Sequence, residues 1–228
     1  MIRSRIAPLF AAMAVLAGCA GLPDIRMADD EKARLKNYPG IRAVHHEAPP
    51  LTITTVGRVL LSDISLGTAG GVKNLATHFG IPDPAVSIKA SLVQTLERDA
   101  GFKKLADMTQ PLPWNPEFRK LDMLQSKYKG GTVLDVMTIN WSGMYFASNW
   151  ARYHLGYVVQ ARLVRLDDGK ELWNTYCNYN SEKNGGYNPN MDELAANNGA
   201  LLKKIYADAA KYCGAQVINH FMNRNTPQ

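Results

Sequence analysis

The chain has 228 residues, three cysteines and a formal net charge of +6. Hydrophobic residues make up 46% and charged residues 20%, ordinary globular usage, so a largely disordered chain is excluded. No internal apolar stretch is long enough to span a bilayer, and the cysteines at 19, 177 and 213 fit no zinc motif. Polytopic membrane proteins, coiled coils and small disulfide-rich toxin-like folds drop out.

Residues 1–18 read as an address rather than as fold. Arg3 and Arg5 form a basic start, and Ile6 to Gly18 follows without a charge. The segment closes on Leu16-Ala17-Gly18-Cys19, which resembles the lipobox of bacterial lipoprotein precursors. The resemblance implies cleavage between Gly18 and Cys19. It also implies a thioether-linked diacylglyceryl group on the Cys19 thiol and an acyl chain, such as palmitate, on the new amine. Two or three chains anchor stably where one does not. Ala20 stands where an Asp tends to retain such proteins in the inner membrane. By the same resemblance the expected location is the periplasmic face of the outer membrane.

Removing 18 residues leaves 210, with 24 basic against 20 acidic residues. A charge of +4 without a Lys/Arg run of five gives no nucleic-acid patch. The expected organisation is a signal peptide over 1–18, a lipid-anchored tether over 19–40 and one periplasmic domain over 41–228.

The tether reading rests on Pro23, Pro39-Gly40 and weak apolar periodicity, with Asp29 to Lys36 as a short surface turn. Ile41 to Glu47 reads as a strand, and Leu51 to Leu61 as extended. Gly67 to Phe79 reads either as a loop or as a small-residue helix. Asp83-Pro84 starts a helix that Gly101 ends, with Ile88, Leu92 and Leu96 on one face. Phe102 to Met108 reads as a short strand. Asn115-Pro116 opens a second helix, with Phe118, Leu121, Leu124 and Tyr128 on one side and Gly130-Gly131 as its stop.

Thr132 to Tyr145 alternates, which puts Val133, Asp135, Met137, Ile139 and Trp141 on one side. Tyr153 to Leu166 and Glu171 to Tyr179 complete an antiparallel meander, joined at Asp167-Asp168-Gly169-Lys170. Asn180 to Pro189 reads as a loop. Asn190 and Glu193 fit a capping box, and Leu194, Leu201, Ile205, Ala209, Cys213 and Val217 form the apolar stripe of a helix running to about Met222. The fold class is therefore α+β: a meander over about 132–180 packed with helices, including a long C-terminal one.

Alternation puts Cys177 on the same strand face as Trp173, Thr175 and Tyr179, and Cys213 lies on the helical stripe. The two thiols meet if that stripe packs on that face. Lipid takes Cys19, and export leaves an even pair in an oxidising compartment. Closing that 37-residue loop stabilises by about 3.8 kcal/mol on the chain-entropy formula.

No catalytic residue is assigned. His45, His46, His78, His154 and His220 make no ligand pair, so neither a metal nor a cofactor is expected. Gly67 to Asn74 is not a P-loop. Asp135 on an otherwise apolar strand face is the one carboxylate to examine. Trp141, Tyr145, Trp150, Arg152 and Tyr153 crowd the connection between the first two meander strands. They are either rings covering the sheet or a partner surface, since Trp, Tyr and Arg dominate binding hot spots.

Several segments together resemble a group of uncharacterised bacterial envelope lipoproteins. They are Val133-Leu134-Asp135-Val136, Asn140-Trp141, Asn149-Trp150, Tyr153, Ala161 to Leu166, Asp168 to Trp173 and Asn197 to Leu202. The resemblance covers most of residues 40–222. The hairpin ending Gly169-Lys170-Glu171-Leu172-Trp173 is also similar to one in lipoprotein activators of peptidoglycan synthases and in subunits of the curli secretion channel. The lipobox-like anchor, the tether and the lack of a catalytic constellation lead to the expectation of a protein held to the membrane by lipid that binds an envelope protein as an accessory or assembly factor. The alternative is a periplasmic hydrolase or small-ligand enzyme whose site is assembled from distant residues.

Overall fold

The computed structural model describes residues 24–38, 40–54, 74–115, 117 and 120–224. The signal peptide, Gly18, Cys19, most of Gly67 to Phe79, and Phe118 lie outside them. Among the described residues no helix is long and apolar enough to cross a membrane.

The chain runs α1 (Asp29–Lys36), β1 (Arg42–His45), β2 (Thr52–Thr54), α2 (Leu75–Phe79), α3 (Pro84–Arg98), β3 (Ala106–Asp107) and α4 (Leu121–Tyr128). Then follow β4 (Thr132–Phe146), β5 (Asn149–Arg165), β6 (Lys170–Asn180), α5 (Ser181–Gly185) and α6 (Met191–Phe221). The meander is as expected, and three parallel strands extend it into a mixed six-stranded sheet ordered β3-β1-β4-β5-β6. β1 and β2 lie end to end along β4, β1 against Val133–Val136 and β2 against Ser142–Met144.

One sheet face carries the main core. Leu134, Val136, Tyr157, Val159, Leu163 and Trp173 meet Ile88, Leu92 and Leu96 of α3 and Leu202, Ile205 and Val217 of α6. α3 begins as expected: Asp83 Oδ1 accepts from the Ala85 N–H at 3.0 Å, and Pro84 takes the first helical position. The opposite face has a smaller core, Val44, Leu112, Val133 and Val164 beneath Leu124 of α4. α4 starts at Leu121, later than Asn115.

The alternation of β4 changes side once. Thr138 pairs with Val159 and Asn140 with Val158, so Ile139 is an extra residue. That bulge turns Trp141 onto the main-core face with Leu134 and Val136, away from Val133 and Asp135. A strict two-residue period across Ile139 therefore misassigns Trp141.

The segment read as a tether is part of the domain from Asp24 onward. Ile25 exchanges two backbone hydrogen bonds with Asn174 of β6, at 2.8 and 3.0 Å. Met27 and Leu35 enter the main core, and Asp29 to Lys36 is a helix rather than a turn. The Asn180 to Pro189 loop contains α5.

The Asn190–Glu193 capping box is formed, with bonds of 2.7 and 2.8 Å. The long helix is interrupted at Ala196 to Gly199, where Asn197, Asn198 and Gly199 all have positive φ. Asn and Gly are the residues that visit this region most readily. Gly199 also faces Phe79 of α2; a Cβ there would lie 2.7 Å from the ring.

Candidate functional site

The polar residues of the second sheet face form one buried network. Val44 of β1 lies beside Asp135 of β4, which faces Arg162 across to β5. His46 Nε2 lies 2.7 Å from Asp135 Oδ1, and Arg162 Nε donates to Asp135 Oδ2 at 2.9 Å. Arg162 also donates to Glu171 at 3.2 Å, and Gln160 donates to Asn174 at 3.0 Å beside it. Burial pushes the Asp135 carboxyl up, but the hydrogen bond and charge of His46 and the Arg162 guanidinium outweigh it and hold it below the usual range. His46, Asp135 and Arg162 are exposed by 1%, 1% and 2%, so no substrate reaches them. Asp135 belongs to an ion network that pins three strands.

A second polar group sits at the start of α3. Thr138 donates to Asp83 Oδ1 at 2.5 Å, and the Tyr157 hydroxyl lies 3.1 Å from Thr138. Burial pushes the Asp83 carboxyl up, and its Oδ2 has no hydrogen-bond partner. Among the described residues no group of three His, Cys, Asp or Glu side chains could hold a metal ion.

The exposed chemistry lies at the β4–β5 turn. Of the five residues singled out there, two are internal. Trp141 donates from its indole N–H to the Pro49 carbonyl at 2.5 Å and packs edge-on against Tyr206. Tyr153 is also buried, and its backbone N–H donates to the Pro189 carbonyl. Tyr145 is half-buried against the core. Trp150 is 60% exposed and Met144 53%, the two most exposed large apolar side chains described. Arg152 donates to the Asn188 carbonyl and to Glu193, both at 3.0 Å. The candidate surface is thus narrower than the sequence cluster: Trp150 and Arg152, with Met144 exposed on β4 opposite His154.

An open pocket of about 290 Å³ adjoins Arg152. Tyr187, Asn188, Glu193 and Leu201 line it. Behind it Tyr187 donates to Asp208 at 2.6 Å, and Lys204 contacts both. The Tyr179 hydroxyl is buried beneath Gly185, and burial pushes it up to about 12. This geometry offers an aromatic anchor beside a fixed guanidinium, which suits recognition. Met144 carries no periodic or motif signal; only its exposure in the folded structure reveals it.

Cys177 and Cys213 are joined in a disulfide, with Cα atoms 5.4 Å apart, and both are buried.

No protein family and no curated protein matches the chain. Solved structures similar to it include the PelC dodecamer from Paraburkholderia phytofirmans, at 10% identity and TM-score 0.36, covering 90% of this chain and 97% of that one. XCC0632 from Xanthomonas campestris, a DUF330 protein, is 10% identical with TM-score 0.34, covering 80% and 85%. Lipoprotein GNA1162 from Neisseria meningitidis is 15% identical with TM-score 0.25, covering 75% and 99%. These TM-scores are all below 0.5, so the likenesses assign neither family nor function.

Proposed function

We propose that this protein is a lipid-anchored periplasmic lipoprotein that acts by binding, as an accessory or assembly factor of the cell envelope. The observation that carries the reading is the Cys177–Cys213 disulfide. It takes two of the three cysteines into a bond that persists in an oxidising compartment. The third, Cys19, stands at the end of the lipobox-like segment. The Ala20 signal favours the outer membrane. Binding is preferred to catalysis because the acid–base groups near Asp135 are sealed, whereas Trp150 and Met144 are exposed and the half-buried Arg152 is held in a fixed position.

A photo-crosslinking residue at position 150 tests the binding surface in intact cells, with one at Lys127 on α4 as the control. A discrete adduct with an envelope protein is expected at 150 and not at 127. No adduct at 150, or the same adduct at both positions, would argue against the surface.

A further inference from the structure

The described chain enters the domain at Asp24, five residues after Cys19. A fully extended chain of five residues spans at most about 18 Å. Residues 24–38 are packed on the body, so at most this span of chain separates Cys19 from it. Asp24 Oδ1 accepts from the Tyr176 N–H at 3.3 Å, and Ile25 is paired with Asn174. A lipid on Cys19 therefore holds this side of the domain against the membrane.

The charges on this side are uneven. α1 closes one end of the sandwich, between the C-terminal turn of α6 and the end of β5. Lys32 donates to the Phe221 carbonyl at 3.2 Å, and Glu31 pairs with Arg165 at 2.7 Å. The loop after α3 joins the same end, where Phe102 packs edge-on against Phe221. Arg26, Lys36, Lys103, Lys104 and Arg224 are exposed here, and none is in an ion pair among the described residues. The acids are largely engaged: Asp30 and Glu31 with Arg34 and Arg165, Asp99 with Arg98, and Asp24 at 3.9 Å from His220. Asp29 is left. Burial first, and then the neighbouring charge of Lys36, holds the Lys32 ammonium below its ordinary value, with Arg224 adding to this.

We propose that this end of the domain, around Arg26, Lys36, Lys103, Lys104 and Arg224, is the membrane-apposed face and engages anionic phospholipid headgroups. The proposal rests on acylation of Cys19 and adds which face the anchor turns to the bilayer. Unpaired cations beside a lipid anchor are drawn to a negatively charged surface and feel it within about one Debye length, roughly 10 Å.

The test is lysine footprinting of the purified full-length mature protein. It is placed on vesicles containing phosphatidylglycerol or on purely phosphatidylcholine vesicles, labelled with a water-soluble acylating reagent and read by mass spectrometry. Lys36, Lys103 and Lys104 are expected to label roughly threefold less on the anionic vesicles, while Lys183 and Lys204 are unchanged. The intact mass reports acylation of Cys19 separately. Acylation without selective protection of the three lysines overturns the face and leaves the anchor standing. Selective protection without acylation overturns the anchor and supports the face. Equal protection of the three lysines on both kinds of vesicle overturns the anionic-headgroup reading.

Discussion

Asp135 and Arg162 face each other across β4 and β5 with both side chains sealed from solvent. Burying such a pair is costly, and removing one member leaves the other charge uncompensated. Arg162→Met is therefore expected to lower the unfolding free energy by about 3–5 kcal/mol, measured by urea denaturation at pH 7. The Asp135→Asn, Arg162→Met double variant should lose less than the two single losses added together. The pH dependence has a defined sign. The folded-state pKa of Asp135 lies below its ordinary value, so its stabilisation is present above the unfolded pKa. It is lost as pH falls through the folded pKa. Urea midpoints of the wild type should therefore fall more steeply below about pH 4 than those of Asp135→Asn.

Besides its packing in the main core, α6 is joined to the rest of the fold at two special points. The disulfide fixes its C-terminal half to β6, and Gly199 lets its broken segment touch α2. Replacing both Cys177 and Cys213 by Ala should cost about 3.8 kcal/mol on the chain-entropy formula. For a domain of this size that corresponds to a fall of about 8–15 °C in the calorimetric Tm. Gly199→Ala combines a left-handed backbone with a Cβ driven into Phe79, for an expected loss of about 2–4 kcal/mol. Pairing it with Phe79→Ala should give a loss smaller than the sum, because the clash is then relieved.

The two proposed surfaces lie at opposite ends of the molecule. β5 has 17 residues and so runs about 55 Å from the β4–β5 turn to the end closed by α1. With the α1 end on the membrane, the proposed arrangement presents Trp150 and Arg152 far into the periplasm. A partner meets them there without competing with the bilayer. The sheet supports this separation: its two longest strands connect both ends, and the Asp135–Arg162 network ties them together.

Much of this was legible along the chain, because local chemistry writes its own signals. The cap of α3 at Asp83, the Asn190–Glu193 box, the hairpin at Gly169 and the alternation of β5 each depend on neighbours in sequence. The order of residues also paired Cys177 with Cys213, conditional on one packing choice, and the structure joins them. What depends on distant contacts was decided by the tertiary structure. The bulge at Ile139 moved Trp141 inside, because periodicity has no term for an inserted residue. Residues 24–38 became part of the body, because Ile25 found an open edge on β6 and Met27 and Leu35 found a core. His46 met Asp135 and Arg162 only when β1 paired with β4 and β4 with β5. The reason is physical: capping and alternation cost and gain within a few residues. Burial of a charge or a ring is settled only by what the fold brings from elsewhere.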